Sequence, residues 1–164
     1  MLSRVENSEL YAHERQAVQV KLSTRGRYGI SAMYDLARNA DCGPQPIKAI
    51  AERMGIPEAY LEQLFAILKR EKLVVSTRGA QGGYVLSRRP EEITVGDVLR
   101  ALEGGLNLVE CLGEEEACGK SCACPSRFVW LRLRDGLNHI VDGITLRDMI
   151  EDYERVCAQE ARNE

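Results

Sequence analysis

The sequence contains no run of about 18 consecutive apolar residues, which is the length that a membrane-spanning helix needs. Its first 20 residues are polar and have no apolar core of the kind that a secretory signal peptide carries. These two absences predict a cytoplasmic protein with no membrane partner. In that reducing compartment, cysteines are expected to be thiols or metal ligands rather than disulfides.

Patterns typical of enzymes and nucleotide-binding proteins are also missing. Residues 78–83 read RGAQGG, which is not the GxGxxG pattern of a dinucleotide-binding fold and has no Walker lysine. The segment leads into a strand-like stretch rather than a helix. No nucleophile–base pair stands out elsewhere, so the sequence predicts a protein that is not an enzyme.

Charge is divided unevenly along the chain, although the net charge is only −3. Residues 21–90 contain twelve Lys/Arg and six Asp/Glu residues, whereas residues 91–164 contain eight and sixteen. The first part therefore carries +6 and the second −8. A basic first half attracts a phosphate backbone, and we expect the acidic half to point away from nucleic acid.

Apolar residues at helical spacing predict three helices in the basic half. The first covers about residues 26–40, the second carries Ile47, Ile50, Ala51 and Met54, and the third follows the turn Gly55-Ile56-Pro57. Two short helices joined by a Gly-containing turn are typical of a helix-turn-helix. The outward face of the third helix holds residues that suit base-edge contacts or, equally, a solvated surface: Glu58, Ala59, Glu62, Gln63 and Ala66.

The segment after the third helix predicts a β-hairpin. Strands at residues 73–77 and 84–87 flank the glycine-rich tip, which completes a winged helix. Arg78 at the base of this wing could enter a narrow minor groove. Thr94 and Asp97 resemble a capping box that opens a fourth helix.

A long helix is predicted to begin at Pro125. Its apolar residues alternate at spacings of three and four, which is typical of a dimer seam, although the seam could also pack on its own domain: Trp130, Leu133, Leu137, Ile140 and Ile144. Thr145 and Asp148 then open a last helix, which precedes a charged tail.

Four of the six cysteines lie between residues 111 and 124, in the segment CLGEEEACGKSCAC. Such a cluster of thiols in a reducing compartment predicts a metal or iron–sulfur site. The spacing matches neither common ferredoxin pattern, and the absence of two CxxC pairs makes a zinc ribbon less favoured. The chain has two histidines, His13 and His139, and neither is near this loop in sequence. Cys42 and Cys157 are interpreted as ordinary thiols.

Taken together, these segments resemble the IscR family of winged-helix iron–sulfur transcription regulators. The resemblance covers about residues 21–155 and is carried by KLSTRGRYGISAMYDLA, YLEQLFAILKREKLV, STRGAQGGYVL, ITVGDVLRALEG and the cysteine loop. It implies a mostly α-helical homodimer with a small β wing, formed by a winged helix-turn-helix domain and a long dimerisation helix. The expected divisions are an extension at 1–20, the winged helix at 21–104, the cluster loop at 105–125, two helices at 126–157 and a tail at 158–164.

The resemblance begins at Val20, where relatives typically start. Residues 1–20 are therefore expected to be a disordered or loosely helical extension, or the native start lies at Val20.

The resemblance also implies the site residues. Tyr60, Glu62 and Gln63 fall on the recognition helix of the family, and Ser76, Arg78 and Gly79 fall on its wing. Three cluster ligands match Cys111, Cys118 and Cys124. The family's histidine, three residues after the last cysteine, is replaced by Arg127, which stays protonated and offers no lone pair.

The fourth cluster ligand therefore stays open at this point. Cys122 is the first candidate, a carboxylate among Glu114, Glu115 and Glu116 is the second, and a group from the partner subunit is the third. The family favours a 2Fe–2S cluster over 4Fe–4S.

The function that follows is a cluster-sensing regulator, mainly a repressor, of iron–sulfur cluster biogenesis genes. Its expected partners are a double-stranded DNA operator, a second copy of the chain and the cluster assembly machinery as cluster donor. One alternative is a related regulator that senses nitric oxide or redox state through the cluster or bare thiols. A less favoured alternative is an iron–sulfur electron carrier or scaffold.

Overall fold

The computed structural model describes residues 23–79, 82–106, 109, 112 and 124–162. Within those residues, helices dominate and a single small sheet interrupts them. The helices are α1 (Thr24–Arg38), α2 (Ile47–Met54), α3 (Glu58–Arg70), α4 (Val95–Glu103), α5 (Arg127–Asp142) and α6 (Leu146–Glu160). Strands β1 (Val74–Thr77) and β2 (Gly83–Leu86) lie between α3 and α4. This mostly α-helical architecture with a small β wing confirms the predicted fold class.

The core is built where α1, α2, α3 and α4 meet. Its largest fully buried side chains come from several helices and include Met33, Leu36, Ile50, Leu61, Phe65 and Val98. The close approach of α1 to α4 depends on Gly29, because a Cβ there would overlap the side chain of Leu102. Leu102 is itself 3% exposed and has little room to move away.

The predicted helix-turn-helix is confirmed in α2 and α3. Gly55 ends α2 with φ of 64°, in the left-handed region that a glycine adopts without cost. The backbone N–H of Ile56 returns to the carbonyl of Ala51, and Ile56 packs into the core at 4% exposure. Pro57 lies at the N-cap of α3.

The predicted wing is confirmed as an antiparallel pair, in which Val74 lies opposite Leu86 and Thr77 opposite Gly83. The sequence did not predict a third contribution to this sheet. Gln45, in the segment between α1 and α2, exchanges two backbone hydrogen bonds of 2.9 Å with Tyr84. The wing is therefore hydrogen-bonded to the segment that enters α2.

Capping boxes open α4 and α6, as predicted. Thr94 with Asp97, and Thr145 with Asp148, each exchange side-chain and backbone hydrogen bonds at the N-terminus of the helix. The two helix starts also meet each other, because Thr94 and Thr145 form an isolated antiparallel bridge. This bridge holds the beginning of α6 against the winged helix.

Helix α5 differs from its prediction at both ends. It begins at Arg127 rather than Pro125, and it ends at Asp142. Ile144, the last residue of the predicted seam, lies beyond the helix, because Gly143 follows as the C-cap. The seam is therefore shorter than predicted. Helix α6 continues to Glu160, so the first part of the expected tail is helical.

Across the described part of the chain, no helix combines the length and the apolar character needed to cross a membrane.

Candidate nucleic-acid interface and cysteine loop

Helix α3, the second helix of the helix-turn-helix, has one buried apolar face and one exposed face. Leu61, Leu64, Phe65 and Leu68 are buried on one side. The residues on the opposite side are all exposed: Glu58, Ala59, Glu62, Gln63 and Ala66. Because the apolar face secures the helix to the core, its polar face is available to a groove of DNA. The structure thus places Glu62 and Gln63 on an accessible surface.

Tyr60 is half-buried and lies at the edge of this surface. Its ring meets the ring of Tyr28 edge-on, with centroids 5.7 Å apart and an interplanar angle of 85°. The guanidinium of Arg27 lies 6.0 Å from the centroid of the Tyr28 ring. The ring contact connects the start of α3 to α1, and Arg27 adds a cation beside Tyr28. Sequence reasoning missed Arg27, because no pattern joins α1 to α3 before folding.

Ser76 lies on β1, where its hydroxyl accepts a hydrogen bond from the Lys69 ammonium at 2.6 Å. Lys69 belongs to the last turn of α3, so this bond joins the recognition helix to the wing. Sequence analysis did not identify Lys69 as a candidate for DNA contact. Its basic side chain adds positive charge beside Ser76, which a phosphate backbone would favour.

Arg78 and Gly79 are exposed and directly follow the last residue of β1. Gly79 has φ of 123°, a backbone conformation that residues other than glycine rarely adopt. Its carbonyl accepts a hydrogen bond from the N–H of Gly82 at 2.9 Å. Arg78 therefore lies directly before a turn that is closed by the bond between Gly79 and Gly82. Residues 80 and 81 lie outside the described residues.

Of the predicted cluster ligands, Cys124 is the one that the structure describes. Cys111, Cys118 and Cys122 lie outside the described residues, as do Glu114, Glu115 and Glu116. Cys124 lies three residues before α5, and its thiol is half-exposed. The loop between Cys111 and Cys124 therefore returns to the described chain where the long helix begins.

The surroundings of Cys124 favour its thiolate. Its Sγ atom lies 3.3 Å from the hydroxyl of Ser126. Hydrogen bonds from the side chain and the backbone of Ser126 lower the pKa of this thiol, and the backbone and charge of Arg127 lower it further. The thiolate is the form that binds soft metals. Cys124 is therefore chemically suited to be a cluster ligand, and Arg127 acts beside it as a cation.

The remaining described cysteines, Cys42 and Cys157, are exposed thiols in a 3₁₀ turn and in α6. His139 is exposed on α5. Among the described residues, no three His, Cys, Asp or Glu side chains are grouped closely enough to hold a metal ion.

Comparison with known proteins gives the family. The sequence profile described as Rrf2, an iron-dependent transcriptional regulator, matches residues 22–152. The chain belongs to the Rrf2 family. Among its relatives is the HTH-type transcriptional regulator IscR of Aliivibrio salmonicida, 40% identical over 135 residues that cover 82% of this chain and 80% of the relative. The HTH-type transcriptional regulator CymR of Bacillus subtilis is 43% identical over 130 residues, which cover 79% of this chain and 89% of the relative.

Solved Rrf2-type structures have the same fold. IscR of T. potens is 43% identical and superposes with a TM-score of 0.71, covering 85% of this chain and 93% of that one. CymR, the global cysteine regulator of B. subtilis, is 41% identical and superposes with a TM-score of 0.66, covering 80% of this chain and 96% of that one. The chain is therefore an Rrf2-type helix-turn-helix transcription regulator and not an enzyme. Because IscR and CymR are both relatives, family membership alone does not decide which signal this chain reads.

Proposed function

We propose that this chain is a cytoplasmic, homodimeric regulator, mainly a repressor, of iron–sulfur cluster biogenesis genes. Its affinity for operator DNA is set by an iron–sulfur cluster held in the 111–124 loop. The cluster assembly machinery supplies the cluster. The observations that carry this proposal are the four cysteines between residues 111 and 124 and the position of Cys124, whose Sγ lies 3.3 Å from the Ser126 hydroxyl, three residues before α5.

Three thiolates hold the cluster in this proposal: Cys111, Cys118 and Cys124. Cys122 is the fourth ligand that we favour, because no histidine replaces the one that Arg127 displaces. When bound, a 2Fe–2S cluster supplies a cross-link that closes the loop on itself. Cys124 passes this constraint to α5 directly, since it lies three residues before the first residue of that helix.

The DNA contacts that we propose lie on two surfaces. Tyr60, Glu62 and Gln63 face the major groove from α3, where a carboxylate such as that of Glu62 can accept a hydrogen bond from a cytosine amino group. Ser76, Arg78 and Gly79 approach the backbone and the minor groove from the wing. A switch between two DNA-binding states needs a difference in affinity between them, at about 1.4 kcal/mol for each tenfold change.

The second candidate is a regulator that senses oxidants or nitric oxide through bare thiols. The same lowered pKa of Cys124 favours this candidate, because exposed thiolates are the cysteines that oxidants attack. The +6 charge of residues 21–90 and the family membership do not support the electron-carrier alternative.

Anaerobic purification tests the cluster. We expect wild-type protein to contain stoichiometric iron and sulfide, with visible charge-transfer bands and a Mössbauer spectrum of a 2Fe–2S centre. Cys124→Ala should lose this iron, and Cys122→Ala should change the spectrum. The matched control is Cys42→Ala, because Cys42 is another exposed thiol that lies in a 3₁₀ turn after α1.

Wild-type protein without iron and sulfide, whose DNA affinity still falls when Cys124 is oxidised, would replace the cluster regulator by the thiol sensor. A loss of iron in Cys42→Ala equal to that in Cys124→Ala would show that the ligands are assigned wrongly.

A further inference from the structure

A partly buried polar network joins the wing to the helix-turn-helix. At its centre is Asp35 of α1, which is 3% exposed. The guanidinium of Arg53, on α2, donates to both of its carboxylate oxygens, from Nε at 2.8 Å and from Nη2 at 2.7 Å. This bidentate geometry fixes the orientation of the guanidinium as well as its position.

Arg53 has a second acceptor, and that acceptor leads to the wing. Its Nη2 also donates to the side-chain oxygen of Gln45 at 3.0 Å, and the amide nitrogen of Gln45 donates to the carbonyl of Gly43 at 3.0 Å. Gln45 is 7% exposed, so both ends of its amide are satisfied inside the protein. The side chain of Gln45 therefore faces the helices, and its backbone pairs with Tyr84 of β2.

Two further contacts restrict how β2 can lie on this support. A Cβ on Gly83 would overlap the backbone carbonyl of Gln45, so the two chains approach as closely as glycine permits. The ring of Tyr84 packs against Phe65 of α3, with centroids 4.6 Å apart. The inner strand of the wing is thus placed against α2 through Gln45 and against α3 through Phe65.

We propose that Gln45 and Gly83 are positioning residues for the wing, and that they set where Arg78 meets DNA. Neither residue is exposed on the DNA-facing surface, so their effect on binding passes through the wing. The inference rests on the proposed function, in which Arg78 contacts DNA. It adds that the Asp35–Arg53–Gln45 network sets the position of the wing, so the wing is not an independent hairpin.

A double-mutant cycle tests this proposal with a defined probe. The probe is the tightest-binding 30-base-pair duplex recovered by in vitro selection with the wild-type dimer, and binding is measured by fluorescence anisotropy. We expect Arg78→Ala to weaken binding roughly tenfold in the wild-type background. In the Gln45→Ala or Gly83→Ala background, the same change should cost about twofold or less, because the wing no longer presents Arg78 correctly.

The second arm separates positioning from a general loss of structure. Gln63→Ala, on the recognition helix, should weaken binding by the same factor in the Gln45→Ala background as in wild type. Gln45→Glu should not restore the coupling fully, because its carboxylate can accept from Arg53 but cannot donate to the carbonyl of Gly43. Gln159→Ala, an exposed glutamine on α6, is the matched control and should couple to neither position.

The outcomes distinguish this inference from the function on which it rests. If Arg78→Ala binds as tightly as wild type, the proposed wing contact is wrong. If Arg78→Ala weakens binding equally in all backgrounds, the wing contact stands and the positioning role is overturned. If Gln45→Ala reduces the effects of Arg78→Ala and Gln63→Ala alike, the network has a structural role only. Gly83→Ala carries the same test if Gln45→Ala does not fold.

Discussion

At the scale of single residues, the buried ion pair between Asp35 and Arg53 is the feature with most consequence for stability. Asp35 is almost fully shielded from water, and a buried carboxylate without a partner is costly. The hydrogen bond to Asp35 is also the main reason that the pKa of Arg53 is raised above its ordinary value. The guanidinium of Arg53 therefore stays protonated beside this carboxylate.

Arg53→Ala should lower the free energy of unfolding by about 2–3 kcal/mol, measured by urea denaturation. We expect a smaller loss of stability than for a fully buried pair, because 37% of the Arg53 side chain is exposed. The control is Arg155→Ala, which removes an exposed pair with Asp152 and should change stability by about 0.5 kcal/mol or less. Equal effects of the two substitutions would contradict the assignment of a buried network.

Glycines give a second prediction at this scale, because two helical glycines have opposite surroundings. Gly29 on α1 faces Leu102, and a Cβ would overlap that side chain, whereas Gly136 on α5 has open space around it. Gly29→Ala should therefore destabilise the protein by about 1–3 kcal/mol through overpacking. Gly136→Ala should stabilise the protein by about 0.5–1 kcal/mol through helix propensity alone.

Both variants are compared by their urea unfolding midpoints. If Gly29→Ala is as stable as wild type, the contact between α1 and α4 is looser than the structure indicates.

At the scale of elements, α5 has an apolar surface without a partner in the described residues. Val141 is the one residue of α5 that is buried, while several large apolar side chains are well exposed: Phe128, Val129, Leu133 and Ile140. An apolar stripe of this length on one helix is typical of a surface that a second helix covers. This is the physical argument for the homodimer that we propose.

Leu133→Asp should therefore convert the dimer to a monomer, measured by sedimentation velocity. Leu133 is 49% exposed in the single chain and would be covered in the dimer. The control is Val156→Asp on α6, at a residue of similar exposure, 51%, which should stay dimeric. If Val156→Asp dissociates the protein and Leu133→Asp does not, the interface lies on α6 instead.

At the scale of the whole molecule, charge is divided between a basic half, which holds the winged helix, and an acidic half. The winged helix carries the excess of basic residues, and the C-terminal part carries the excess of acidic ones. Binding to DNA releases condensed counterions, so affinity should fall steeply with salt. Each phosphate contact contributes about 0.9 to the slope of log K against log salt concentration.

Arg78→Ala should reduce the magnitude of this slope by about 1, measured by anisotropy titrations between about 50 and 300 mM salt. Arg155→Ala, on the exposed surface of α6, should leave the slope unchanged. An unchanged slope for Arg78→Ala would mean that the wing arginine makes no phosphate contact.

Local sequence patterns determined the helix-turn-helix, the wing and both capping boxes, because helical spacing and turn chemistry act between residues a few positions apart. They also determined which side of α3 is exposed and that the thiols cluster in one loop. The ends of α5 were less well predicted, since Gly143 stops that helix before the apolar repeat finishes.

Only the tertiary structure decided which distant residues meet. The network of Asp35, Arg53 and Gln45, the bond from Lys69 to Ser76 and the ring contact between Tyr28 and Tyr60 join separate elements. The spacing of apolar residues in the sequence does not predict such contacts, because they depend on how the helices pack once their apolar faces are buried. The sequence alone therefore supplied the candidate residues for DNA and metal binding, and packing decided what holds the wing in place.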